Sequence, residues 1–249
     1  MVIQQTRPSA RTWLLAAAEL SAALIVARLI VWTQHTHTAC HHHHGPQIHW
    51  GMVEYASTTV AIAALGWWLV RRESTAAIVS VAALVAFAAS PAVRGLASQS
   101  HLIAMAALEL LMVACPLLLL RESPRPSAGQ PARRFGWTAF GGAAAVLYAG
   151  LLIVIHIPGV HCHCVGAPLW VVPVALAIGI AYWFGVLCTA DRVTTRARRV
   201  MLLGAQEVAA FIGLLSLFDA TWDQRLGGLL MMITCAAVTI PVARKITYR

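Results

Sequence analysis

The sequence predicts an all-α, polytopic membrane protein, a bundle of about eight transmembrane helices with both termini cytoplasmic. Three observations lead there. Of 249 residues, 59% are hydrophobic and only 11% are charged, with a mean hydropathy of +0.74, which lies outside the range of soluble domains. The apolar residues gather into runs close to the roughly 20 residues that a bilayer core of about 30 Å requires. The basic residues stand in small clusters between those runs, so the formal net charge of +9 reads as membrane orientation and not as a nucleic-acid surface.

Eight runs qualify: residues 12–33, 51–70, 75–93, 101–120, 137–155, 168–189, 201–218 and 226–243. The first is too long for a cleavable leader and lacks a small-residue cleavage site, so it reads as an anchor. It carries Glu19 and Arg28, which are expected to face protein, snorkel or pair with other helices. A connector at 121–135, with Pro124, Pro126 and Pro131 among Ser and Gly, separates four spans from four more. No segment outside the membrane is large enough to build its own core. Two regions follow, residues 1–50 with the first helix and its outer loop, and residues 51–249 with seven spans. Six cysteines are present, but Cys115, Cys188 and Cys235 lie in or at the ends of apolar runs without a pairing pattern, so disulfides do not organise the chain.

Orientation follows from the arginines. Fifteen basic residues, among them Arg7, Arg71, Arg121, Arg134, Arg192, Arg198, Arg244 and Lys245, fall in one alternating set of segments, and only Arg94 and Arg225 fall in the other. The positive-inside rule makes the first set cytoplasmic. All eleven histidines then lie in outer loops or at the outer ends of spans, and the outer face is specialised.

The loop after the first run holds His35, His37, Cys40, His41, His42, His43, His44 and His49. Imidazole and thiolate are ligands for copper, zinc and nickel, and Gly45-Pro46 gives the loop flexibility, so it reads as a metal-capturing segment. The bland alternative is a solvated polar loop or an internal tag. The second cluster closes the fifth span with His156, His161, Cys162, His163 and Cys164. Alternating His and Cys puts ligands on both sides of an extended segment, which points to metal or redox chemistry against an inert loop. The third signal is helical: His101, Met105, Glu109 and Met112 follow i, i+4, i+8 and i+11, a stripe descending from the outer rim. Imidazole and thioether suit Cu(I), and an intramembrane carboxylate is a functional candidate by default. Against this stands a core filled by methionines, the reading preferred for Met112 alone. Glu54 and Glu207 belong either to an ion path or to hydrogen bonds between helices. Met231 or Met232 is expected to share the interior with Met105. No hydrolase, P-loop or dinucleotide motif appears, and an enzyme is not expected.

Short motifs in series carry a resemblance. They are Ser90-Pro91 ending a span, Ser100-His101-Leu102-Ile103-Ala104-Met105 opening the next, His156-Ile157-Pro158, and Asp223-Gln224-Arg225-Leu226-Gly227-Gly228-Leu229-Leu230-Met231 opening the last. In their order and spacing, residues 51–245 resemble the bacterial CtaG-like cytochrome c oxidase assembly proteins. Leu102 and Met105 stand where that family usually has Met and a second His, and the first span with its histidine loop is an addition. The resemblance implies a metallochaperone of the bacterial cytoplasmic membrane that supplies copper, as Cu(I) and ahead of zinc or haem, to a haem-copper oxidase subunit. Its implied partners are that subunit, the bilayer and an extracytoplasmic copper donor. The alternatives are a metal permease using Met105, Glu109, Glu54 and Glu207 as a path, and a haem-binding electron-transfer subunit ligated by His101 and His156.

Overall fold

Apolar side chains set the helices, and Gly, Ser and Pro punctuate them. The structure, a computed structural model, describes residues 51–120, 134–156, 168–219 and 221–247. The first apolar run with Glu19 and Arg28, the histidine loop and most of the proline-rich connector lie outside these residues. Among the described residues all regular structure is helical: α1 Met52–Arg71, α2 Ser74–Ala89, α3 Pro91–Gln99, α4 His101–Leu120, α5 Arg134–His156, α6 Val171–Leu187, α7 Thr195–Ser216 and α8 Trp222–Thr247.

By length and composition, four helices can cross a membrane, namely α4, α5, α7 and α8, or five if α2 and α3 form one broken span. The 17 residues of α6 are apolar but short. Large apolar side chains face outward on most helices, including Ile62, Val146, Val200 and Ile233, with Val146 72% exposed. Water would penalise such a surface and lipid does not.

The third apolar run, expected to continue through residue 93, stops at Ala89 and restarts at Pro91 with a bend of 58°. Pro91 disfavours helical backbone at the residue before it, and Ser90 is extended, with φ −60° and ψ 145°. The broken hydrogen bonds are replaced locally. Ser90 Oγ accepts from the Val93 N–H at 3.4 Å, and Arg94 Nε donates to the Ala89 carbonyl at 3.1 Å.

The interior is built by α4, α5, α6, α7 and α8. α7 and α8 cross closely, where a Cβ on Gly213 would stand 2.8 Å from the Gly228 carbonyl oxygen. Tyr148 of α5 stacks on Tyr182 of α6 at 4.4 Å between centroids, and Trp183 meets Tyr182 edge-on at 4.9 Å. On the periphery, α1 rests on α2 through Trp68, Ala76 and Ala77, and Ser80 Oγ donates to the Ala64 carbonyl at 2.8 Å.

A π-helical turn, Leu110–Ala114, interrupts α4, and the 3.6-residue periodicity gave no hint of it. Its cause is in the sequence. Pro116 has no N–H for the carbonyl of Met112, four residues earlier, and its ring crowds that carbonyl. A carbonyl without a donor is costly in a bilayer. Trp183 Nε1 supplies the bond at 2.9 Å, and Gly179 lets α6 come close enough, since a Cβ there would lie 2.7 Å from Met112 Cα. Replacing Trp183→Phe is expected to cost about 1 to 2 kcal/mol, read as a lower thermal unfolding midpoint in detergent. In a Pro116→Ala background the loss should fall by at least half, because residue 116 then carries an N–H. Equal losses in both backgrounds would show that the indole bond does not answer the proline.

Candidate functional site

The first turn of α4 begins with backbone N–H groups that have no partner inside the helix. Ser100 caps it, its Oγ accepting from the Ile103 N–H at 3.3 Å. The remaining groups turn to α8. Asp223 accepts from Ser100 Oγ at 2.6 Å, from the His101 N–H at 2.5 Å and from the Leu102 N–H at 3.4 Å. A carboxylate at a helix N-terminus is also favoured by the helix dipole. One turn further along α8, Gly227 leaves room for an imidazole, since a Cβ there would lie 2.6 Å from His101 Cδ2 and 3.4 Å from Met105 Cγ. Asp223 holds the backbone of His101, and Gly227 seats its ring.

His156 reaches the same place from the last turn of α5. Its ring meets that of His101 edge-on, with centroids 5.3 Å apart and planes at 78°. Nδ1 of His156 lies 2.7 Å from the Leu152 carbonyl oxygen. A neutral ring donating there carries its lone pair on Nε2, and the Nε2 atoms of both histidines are shielded from solvent. The ends of the fourth and fifth predicted spans are therefore neighbours through these two rings.

Below the pair, side chains of α4, α5 and α8 close on a crevice lined by Met105, Glu109, Met112, Tyr148, Leu152 and Met231, too narrow for a water molecule. Of the two methionines weighed for this interior it is Met231 that enters, being 1% exposed, while Met232 is half-buried. Oε2 of Glu109 is buried with no hydrogen-bond partner. Further in, Gln206 Nε2 donates to Tyr182 Oη at 3.3 Å, and Tyr182 Oη donates to the Leu202 carbonyl at 3.3 Å.

Among the described residues, Glu54 and Glu207 take no part in this interior. Glu54 closes on its own helix start, accepting from the Gly51 N–H at 2.9 Å, and Glu207 is exposed. His35, His37, Cys40, His41, His42, His43, His44, His49, His161, Cys162, His163 and Cys164 lie outside the described residues. Among the described residues no group of three or more His, Cys, Asp or Glu side chains converges as a metal cluster. What converges at this end is the histidine pair, with Met105 one helical turn below it.

The basic clusters gather at the opposite end. Arg192, between α6 and α7, lies 4.5 Å from the ring of Trp137 at the start of α5, and Arg198 Nε donates to the Val186 carbonyl at 2.6 Å. The two exceptional arginines stand at the histidine end or at the α2–α3 break. Arg225 Nε donates to the Asp219 carbonyl at 2.8 Å, in the turn between α7 and α8, as Arg94 does to the last carbonyl of α2 at Ala89.

Comparisons with family models, with curated proteins and with solved structures return no match to this chain. The site therefore rests on its own geometry. Sequence reasoning missed the parts played by Gly227 and Tyr148 and saw Asp223 only as part of a motif. A signal was present for α8: residues 223, 227 and 231 are spaced by four and fall on one helix face. Gly227→Ala is expected to displace the His101 ring and leave the fold intact, seen as loss of the proton contact between the His101 and His156 rings by NMR. An unchanged contact would show that the glycine is not needed to seat the ring.

Proposed function

We propose that this protein is a membrane-embedded copper-binding assembly factor of the CtaG-like kind. It takes up copper as Cu(I) on the outer face of a bacterial cytoplasmic membrane and supplies it to a haem-copper oxidase subunit. The observation that carries the reading is the meeting of His101 and His156, delivered by two helices to one end of the bundle at 5.3 Å between rings, with Met105 one turn below. Two neutral imidazoles and a thioether form a low-coordinate set suited to Cu(I). Such a set binds firmly and exchanges readily, as delivery to a partner requires. The histidine-rich segment at 35–49 and the His-Cys segment at 161–164 serve as the capture surface, fed by an extracytoplasmic copper donor. The chain acts as a carrier and not as an enzyme. A bis-histidine haem fits less well, because Gly227 and Met105 pack directly against His101.

Orientation belongs to the same proposal: eight spans, both termini cytoplasmic, and the histidine end outside. A reporter fused after Arg249 should report cytoplasm, and one inserted within 35–49 should report the exterior. An external C-terminus would overturn the span count and the shared histidine face together.

For the site, His101→Ala and His156→Ala should each lower copper per protein and leave the oxidase short of copper. Met105→Leu, which keeps volume and removes the thioether, should do so more mildly. Met201→Leu, in the half of α7 near the basic end, should change neither. Normal copper content and oxidase activity in a folded His101/His156 double variant would eliminate the reading.

A further inference from the structure

The crevice beneath the histidine pair has a composition that packing alone does not explain. Three of the chain's seven methionines, Met105, Met112 and Met231, line it from two helices, and each is 1% exposed. Methionine is a common filler of irregular cores, and three thioethers by themselves would be read that way. Glu109 changes the reading. Its buried Oε2, without a hydrogen-bond partner, sits among them, and a carboxylate at that depth is expensive unless a proton or a cation meets it.

We propose that this crevice is a second, deeper binding site for a soft monovalent cation, Cu(I) or Ag(I), held by the thioethers of Met105, Met112 and Met231 and charge-balanced by Glu109. The chemistry selects the ion. Thioether sulfur favours soft ions over Zn(II), Mg(II) or Ca(II), which prefer imidazole or oxygen. A crevice without room for water admits only an ion that sheds its hydration and takes protein ligands directly. Cu(I) and Ag(I) do so easily, and flexible methionine side chains can close around them. A univalent ion beside one carboxylate leaves no net charge in the low-dielectric interior, whereas a divalent ion would leave a positive one.

Access is provided by the histidine pair. Met105 touches the space under His101 through the same gap that Gly227 leaves, and Leu152, whose carbonyl fixes the His156 ring, forms part of the crevice wall. An ion leaving the imidazoles meets Met105 first, then Glu109 and Met231, with Met112 as the innermost donor. This site deepens the copper reading but does not depend on delivery to an oxidase.

The test uses the full chain in lipid nanodiscs, labelled at the methionine methyl carbons and titrated with a silver(I) salt under NMR observation. Assignment comes from single Met→Leu variants. The methyl signals of Met105, Met112 and Met231 should shift together and saturate at one ion, while those of Met52 and Met201 stay in place. Those shifts should persist in the His101→Ala/His156→Ala double variant, which separates this site from the outer pair. Glu109→Gln, with the fold reported by an unmoved Met201 signal, should weaken the titration at least tenfold. Three unmoved methyls while silver binds elsewhere, shifts that vanish with the two histidines, or a titration unaffected by Glu109→Gln would each overturn the deep site.

Discussion

The carboxylate of Asp223 fastens the start of α8 to the start of α4, and the arrangement of the site depends on that bond set. A helix that begins at a membrane boundary has N–H groups without acceptors, and lipid supplies none. Asp223 takes three donors, from Ser100, His101 and Leu102, and so fixes both the rotation and the height of α8 against α4. With that register set, Gly227 comes opposite the His101 ring and Met231 enters the crevice four residues later. The next residue, Gly228, faces the other way into the close crossing with α7. One charged residue thereby aligns a histidine, a glycine and a thioether.

Pro91 and Pro116, in α3 and α4, introduce irregularity where regular helices would be cheapest. At Ser90-Pro91 the chain bends, and a hydroxyl and an arginine repair the lost bonds. In α4, Pro116 sits opposite a π turn, and an indole from α6 serves the Met112 carbonyl. Both repairs use side chains, as a bilayer demands when water is not at hand. Both also act on the site. The bend lets short α3 lead the chain to Ser100 and His101, and the π turn together with Gly179 sets where Met112 enters the interior.

Much of this was legible in the sequence, for physical reasons that differ by feature. Long apolar runs announce helices because hydrocarbon tolerates no other open backbone, and α4, α5, α7 and α8 fall where runs 101–120, 137–155, 201–218 and 226–243 predict them. The stripe of His101, Met105 and Glu109 was visible because spacing by four is preserved through a regular helix. Run 75–93 was read as continuous because hydropathy averages over a proline that geometry does not ignore. The π turn was illegible for a similar reason: Pro116 could be seen, but its partner Trp183 lies 67 residues further along the chain and nothing local connects them. The meeting of His101 with His156 is a long-range event that the motifs pointed to and only the packing of helices defines.

The order of donors along this path carries a physical direction. At the rim stand imidazoles beside a carboxylate engaged with backbone N–H groups. Inward come thioethers and a single carboxylate in a space closed to water. Imidazole nitrogen accepts several metals, whereas thioether sulfur in a narrow interior discriminates for soft, weakly hydrated ions. On the proposed copper reading, the rim serves capture and exchange, and the interior serves selection. Deeper still, the interior continues with the ring pair Tyr148 and Tyr182 and with Gln206, groups that bind protons and hydrogen bonds. The sulfur donors do not stop at Met112: the buried thiol of Cys235, one turn beyond Met231 on the same face of α8, continues the line of soft ligands past the crevice.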